Sequence, residues 1–303
     1  MPEITLRLGG YQPPRSVHTR AMHVFIDGLR RRLGDGIAVD YTENVTAAGR
    51  KAVDLLPMTE GDEIDICYIA SSSLVERVPS LGVFDLPFQV TDRNAAYALA
   101  DGPAGQRLSG EVAAATGFAV LAYWDNGFRH ISNGVRRIVH PRDCRGLKLR
   151  TLENAQHHRV FRAFGFEPVV IDVRELAAAV HERRVDAQEN PFTNLVNFNL
   201  QKTHRFVTMT GHFLGIAPVL CNRARLSQWP ANVQAAVAEA MTEATAAQRR
   251  YAAEDDVLCL ATLEADGVEV IRPNGFDRAA FVDAVADIRA EAMQAAGMDA
   301  VVR

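Results

Sequence analysis

The sequence predicts an α/β protein built as two lobes. Strand-like and helix-like stretches alternate from the first residues onward, the pattern of a largely parallel sheet covered by helices. The 303 residues are 48% hydrophobic, enough for two cores at the usual domain size. One helical pattern runs from about Ala231 to about Glu264 without a Gly or Pro. At 1.5 Å per residue it would be roughly 50 Å long, more than the width of one lobe, so it is expected to span both.

The elements follow in order. Ile4–Leu8 alternates apolar and polar residues as a strand, and Tyr11-Gln-Pro-Pro14 is a turn. Val17, Ala21, Val24, Phe25, Gly28 and Leu29 recur at helical spacing until Gly34 and Gly36 break the pattern. Ile37, Val39 and Tyr41 alternate as a second strand. A helix is expected over about Ala47–Glu60, kinked or ended early by Pro57. Ile64–Ala70 is a buried strand, completing a βαβαβ run with right-handed crossovers. Leu86-Pro87-Phe88 forms a rigid apolar loop, and Ala95–Ala115 is helical with an interruption at Gly102-Pro103.

Phe118–Tyr123 is a strand, with a break at Asn126-Gly127. A second α/β set follows: a strand near Leu147–Thr151, a helix over about Ala155–Phe164, a strand at Pro168–Ile171 and a helix over about Val173–Arg183. Phe206–Thr210 and Gly215–Asn222 read as two further strands. After the long helix come a strand at Gly267–Ile271 and a closing helix at Asp277–Ala295. No composition break separates the lobes, so the chain is expected to cross between them more than once.

Composition narrows the function. The net charge of -4, with no basic clusters, argues against a nucleic-acid partner. Of 33 basic residues only Lys51, Lys148 and Lys202 are lysines, so arginine is abundant and a single Arg means little without context. No window approaches 18 consecutive apolar residues, which argues against a membrane-embedded chain. No charged segment followed by an apolar one precedes the first strand, which fits either a cytoplasmic chain or a processed, mature one. Cys67, Cys144, Cys221 and Cys259 form no Cys-x-x-Cys pair and have no His at ligand spacing. Three of the four lie in apolar runs and read as core residues, and neither a disulfide nor a metal site is signalled. His157-His158 are adjacent on a helix and face different ways, which argues against joint metal ligation.

Three stretches carry a resemblance. The first is Val78-Pro-Ser-Leu-Gly-Val-Phe-Asp-Leu-Pro-Phe88, the second Pro141-Arg-Asp-Cys-Arg-Gly-Leu-Lys-Leu-Arg150, and the third Arg184-Val-Asp-Ala-Gln-Glu-Asn-Pro191. Together with the long helix, they resemble the solute-binding proteins of tripartite ATP-independent periplasmic (TRAP) transporters, the DctP-type family. The likeness runs from about Ile4 to about Ala295, and the chain departs from the family's usual Gly at Ala187.

The resemblance implies a two-lobed periplasmic-binding-protein fold with lobes of 1–125 plus 212–248 and 126–211 plus 249–303, and a cleft between them. It also implies a mature periplasmic protein whose lobes close on a small organic acid and hand it to the TRAP membrane permease. No cofactor is implied, and a monomer is the default for a clamp that must reach a permease.

Arg150 is the first candidate for the ligand site. It ends a strand, where ligands of α/β sheets gather, and its planar fork matches a carboxylate as Lys does not. The Arg at this place in the resembled family holds the substrate carboxylate. Asn190 supplies both a donor and an acceptor, and Pro191 fixes its turn. Arg129 follows the lobe crossing; it would suit a second acid or a polar group beside the first, or make a hinge salt bridge. Tyr11 and Gln12, and Ser71, Ser72 and Ser73, follow strands of the first lobe and would read polar groups, or serve only as turn and capping residues.

Phe88, Trp124, Phe192 and Phe213 are candidates for an apolar pocket wall and equally for plain core. His212 would donate to the ligand or to a hinge contact. An enzyme acting on an organic acid is one alternative, although no Gly-x-Ser-x-Gly, phosphate loop or His-Glu-x-x-His occurs. Asp62 and Glu63, the paired acids, read as solvated. A binding protein of an ATP-driven importer is a second alternative, and a cytoplasmic ligand-sensing domain a third.

Overall fold

The structure is a computed structural model that describes residues 4–295. The chain forms two compact units. The first holds the chain up to Ser71 with Ala98–Asn126 and Ile216–Asp255; the second holds Ser72–Tyr97, Gly127–Gly215 and the chain from Asp256. In chain order the elements are β1 (Ile4–Gly9), α1 (Val17–Leu33), β2 (Ile37–Thr42), α2 (Leu55–Glu60), β3 (Ile66–Tyr68), α3 (Arg93–Asp101), α4 (Pro103–Ala115), β4 (Phe118–Asn133), β5 (Lys148–Thr151), α5 (Ala155–Ala163), β6 (Glu167–Val170), α6 (Val173–His181), β7 (Ala187–Asn190), α7 (Phe192–Asn197), β8 (Phe206–Asn222), α8 (Arg223–Gln228), α9 (Ala231–Ala265), β9 (Glu269–Ile271), α10 (Arg278–Ala284) and α11 (Ala286–Ala295).

In the first unit β1 pairs in parallel with β2 and with β3, and β3 pairs antiparallel with the last residues of β8. Helix α1 starts because Ser16 caps it, its side chain accepting from Thr19 N at 3.1 Å. It buries Ala21, Met22, Phe25 and Leu29 and carries Arg30, Arg31 and Arg32 in its last turn, where the helix end is negative. Gly28 admits α9 closely: a Cβ there would lie 3.0 Å from the Ala240 Cβ. Around that seam Arg31 and Arg32 pair with Glu239 and Glu243. Gln248 clamps α9 to β4, accepting from Asp125 N at 2.8 Å and donating to Asp125 O at 2.6 Å.

In the second unit β5 pairs in parallel with β6 and β7, β4 pairs antiparallel with β7, and the first residues of β8 pair in parallel with β9. Its largest core gathers Phe88, Phe161, Phe164, Phe213, Phe276 and Phe281 with aliphatic residues of β5 and α5. Asn154 caps α5 and Asp172 caps α6, each beyond the end of a parallel strand.

Helix α9 is 35 residues long and has residues in both units, as expected. Four local expectations are corrected. Residues 45–54 are not α-helical: they form short 3-10 turns at Val45–Ala48, capped by Asn44 and ended by Gly49 at φ +83°, and at Ala52–Asp54, so α2 is only Leu55–Glu60. Asn126-Gly127 does not break the chain, because β4 runs through it with Gly127 at φ +85°. Likewise β8 is one strand through Gly211. The closing helix is two, α10 and α11.

Residues 72–97, placed by the sequence reading in the first lobe, belong to the second unit. Phe88 is buried in that unit's core, and Asp85 Oδ1 lies 3.0 Å from His157 Nε2 of α5. The paired acids are solvated, as expected: Asp62 and Glu63 are exposed and make surface ion pairs with Arg7 and Arg50. Ala187, at the departure from the usual Gly, sits in regular β7 opposite Asn133 and Leu149.

Candidate ligand-binding site

Two of the sequence motifs meet at β5 and β7. Asp143 turns the chain into β5 by accepting from Val139 N and His140 N, and Gly146 supplies the left-handed residue at φ +74°. Asp186 accepts from Lys148 N at 2.9 Å and its own N–H donates to Lys148 O at 2.9 Å. This sets the register in which Arg150 lies opposite Gln188. Neighbours across a sheet share a face, and residues two apart along a strand share it too. The pleat therefore aligns Arg150, Gln188 and Asn190 on one face of the sheet.

Arg150 is 1% exposed, at the carboxyl end of β5, and its Nε donates to Ile171 O at 2.8 Å. Asn190 is held rigidly. Its Nδ2 donates to Gln188 Oε1 at 2.6 Å, and its Oδ1 accepts from Asn194 Nδ2 at 2.9 Å and from Arg129 Nη2 at 3.3 Å. Gln188 in turn donates to Ser132 Oγ at 2.6 Å, and that hydroxyl lies 2.9 Å from His204 Nδ1.

Arg129 forms the salt bridge that was the alternative to ligand contact. Its Nε donates to Glu189 Oε2 at 2.5 Å and its Nη2 to Glu189 Oε1 at 2.8 Å, a two-pronged pair with Arg129 5% exposed and Glu189 fully buried. Burial alone would push the Glu189 carboxyl up. The Arg129 charge, with hydrogen bonds from His212 and Arg129, outweighs it and holds Glu189 well below the usual range. His212 Nε2 is 3.4 Å from Glu189 Oε2, and His212 Nδ1 is 2.7 Å from Thr210 Oγ1. Burial, opposed by Glu189, lowers the His212 pKa and keeps the ring neutral.

The remaining second-unit candidates support this group. Phe88 adopts φ +57° and donates its N–H to His212 O at 2.7 Å. Phe213 stacks on His157 at 4.6 Å, and Phe192 lies against His130 at 4.4 Å. All three aromatic residues are core. Ser72 also falls in this unit, its carbonyl accepting from Asn154 Nδ2 at 3.4 Å.

Tyr11, Gln12, Ser71 and Trp124 lie in the first unit and are buried. Trp124 donates to Thr245 Oγ1 and packs 5.8 Å from Tyr68, as Tyr11 does at 5.4 Å. His18 stacks on Tyr68 at 5.0 Å, and burial, partly offset by Asp125, lowers its pKa to about 4. Gln12 Oε1 and His18 Nε2 are buried without a hydrogen-bond partner among the described residues.

Glu189, Gln188, Asn194 and His18 were not singled out from the sequence. The available signal was Gln-Glu-Asn in a strand otherwise flanked by apolar residues: three polar side chains in a buried β7 require partners on both faces. Among the described residues no group of His, Cys, Asp and Glu is placed to hold a metal ion, and no helix is long and apolar enough to cross a membrane.

Residues 8–295 match the sequence profile of the family DctP, described as bacterial extracellular solute-binding protein, family 7. A solute-binding protein of Verminephrobacter eiseniae is 31% identical over 95% of this chain and 85% of its own length. The 2,3-diketo-L-gulonate-binding periplasmic protein YiaO of Escherichia coli is 30% identical over 86% of this chain and 78% of its own. The fold matches the crystal structure of a TRAP periplasmic solute-binding protein from Sulfurospirillum deleyianum with bound succinate. There the TM-score is 0.91 at 26% identity, covering 99% of this chain and 97% of that one. Profile, relatives and fold agree over nearly the whole length, and the chain belongs to the DctP family of bacterial extracellular solute-binding proteins.

Proposed function

We propose that this chain is the periplasmic solute-binding subunit of a TRAP transporter, that it captures a small organic acid without chemical change, and that it delivers the acid to the membrane permease. Arg150 and Asn190 bind the ligand carboxylate; Arg129, Glu189 and His212 position Asn190. The observation that carries this reading is the shared face of Arg150, Gln188 and Asn190 at the carboxyl end of β5. A guanidinium buried there matches a carboxylate fork to fork, and the amide of Asn190 orients it. Succinate in the Sulfurospirillum protein and diketogulonate in the Escherichia coli relative are both carboxylates. Capture by hinge closure belongs to the same proposal, as does a monomeric working state.

Isothermal titration of the purified protein against a panel of organic acids tests this. A ligand should emerge from the panel. Arg150→Lys keeps the charge but loses the fork, and should weaken it by about 2–4 kcal/mol, roughly 30- to 1000-fold in Kd. Near-normal binding by that variant would overturn the assignment. Turnover of the bound acid would favour the enzyme alternative instead.

A further inference from the structure

We infer that Ser132 and His204 are positioning residues for the ligand: acting through Gln188, they hold the Asn190 amide in the one orientation in which it meets the ligand as a hydrogen-bond donor. The inference rests on the function proposed above and deepens it.

The direction of each bond follows from chemistry, starting at Arg129. A guanidinium only donates, so the atom of Asn190 that faces Arg129 is Oδ1, at 3.3 Å, and Asn194 Nδ2 donates to the same oxygen at 2.9 Å. Two donors use both lone pairs of an amide oxygen. The other arm of the amide is then Nδ2, which donates to Gln188 Oε1 at 2.6 Å. Gln188 must in turn present Nε2 to Ser132, and it donates to that hydroxyl at 2.6 Å. Ser132 Oγ, accepting there, has its own hydrogen to give, and His204 Nδ1 lies 2.9 Å away. Among the described residues this leaves Asn190 with one hydrogen on Nδ2 and no lone pair to spare. Its oxygen is closed to the ligand, and the group that meets its side chain must be an acceptor, as a carboxylate oxygen is.

The chain of side chains is anchored at both ends. Glu189 holds Arg129 through both carboxylate oxygens. The His204 amide donates to Leu200 O at 2.8 Å, and Gly134 lets that segment pack closely: a Cβ there would lie 2.9 Å from Thr203 O and 3.6 Å from the His204 ring. Ser132, Gln188 and His204 are all buried. Burial, with the neighbouring His181, lowers His204 to about 3, so the ring is neutral at neutral pH and keeps one bare nitrogen for Ser132. Stability does not account for this histidine. Its Nε2 is buried without a hydrogen-bond partner among the described residues, a cost that an apolar ring of similar size would not carry. What the ring gains is a link, through two side chains, to the amide of Asn190.

The experiment uses the tightest binder among succinate, pyruvate, lactate, gluconate and benzoate. Isothermal titration gives its affinity for each variant, and urea unfolding gives each variant's stability. His204→Phe should weaken binding by about 3- to 10-fold, the equivalent of one hydrogen bond, with an unfolding midpoint no lower than that of the wild type. His204→Asn returns an acceptor near the place of Nδ1 and should recover affinity to within about twofold. Ser132→Ala should weaken binding by a similar factor, and Ser132→Thr, which restores the hydroxyl, should recover it. Unchanged affinity in both His204→Phe and Ser132→Ala overturns the inference. So does a set of affinities that merely follows the unfolding midpoints.

The wild-type protein supplies a second reading. Heteronuclear NMR resolves the side-chain amide protons of Asn190, assigned by their loss in Asn190→Asp. On addition of the acid one of the two should move downfield, as a new bond to an acceptor requires. If neither moves while the acid binds, the amide does not donate and the inference fails, whether or not the variants fold, with the proposed function left standing. If none of these acids binds, the proposed capture of a small organic acid fails and this inference with it.

Discussion

Lys148 and Asp186 bind each other twice: the Lys148 amide donates to the Asp186 carboxylate, and the Asp186 amide donates to the Lys148 carbonyl, both at 2.9 Å. These two bonds join the strand that carries Arg150 to the strand that ends in Asn190. Asp186→Ala removes one of them and leaves an amide to water. It should lower stability by about 1 kcal/mol in urea unfolding and weaken ligand binding through a residue that does not touch the ligand. Unchanged affinity would show that the register is held elsewhere.

Gly127 is confined by Pro191. A Cβ on Gly127 would lie 2.6 Å from the Pro191 Cβ, and its φ is +85°. Gly127→Ala should therefore cost about 1–3 kcal/mol from strain and push Asn190-Pro191 from its place. Both the melting temperature and the ligand affinity should fall. A variant as stable as wild type would refute the close approach.

The buried Arg129–Glu189 pair should behave non-additively. Glu189→Leu leaves a guanidinium uncompensated and should cost about 3–5 kcal/mol, whereas the double variant Arg129→Met with Glu189→Leu should cost less than the two single changes together. Denaturant unfolding of the four proteins measures the coupling. Additive losses would mean that the pair contributes little as a pair.

Acid should act in two windows. His130 and His204 are lowered to about 3 and His18 to about 4, each chiefly by burial. The unfolded chain takes up protons near pH 6.5 and the folded one does not, so stability is full above pH 6.5 and falls below it. At pH 5 each of these histidines should cost about 2 kcal/mol. Glu189 is depressed, so its contribution is present above its unfolded value near 4.5 and is lost only as the pH falls further. Urea midpoints at pH 7.5, 6 and 5 should decline steadily, and a flat profile would show that the histidines are protonated in the fold.

Much of this was legible in the sequence, for identifiable reasons. Parallel strands leave hydrophobic runs bounded by turns, so β1, β3, β5 and the long α9 were plain. Arg150 and Asn190 stood out because each ends a strand in a recognisable motif. What escaped depended on distant partners. Glu189 looked like one polar residue among three until β4 placed Arg129 beside it. Gly127 looked like a breaker, since glycine at positive φ ends most strands. Here it lets β4 continue past Pro191. Residues 72–97 changed units because Phe88 and Asp85 find their partners on α5 and β8, contacts that no local pattern announces.

The four cysteines are free and buried. Burial pushes the Cys67 thiol up to about 12 and raises those of Cys144 and Cys221 as well. The thiolate is the form that reacts with alkylating dyes, so these native sulfurs should stay silent toward maleimides at neutral pH while the protein is folded. A single cysteine introduced at an exposed position can then carry a fluorophore with the native four left in place. The same silence turns maleimide uptake into a clock for unfolding, since a dye that labels a native sulfur reports a chain that has opened.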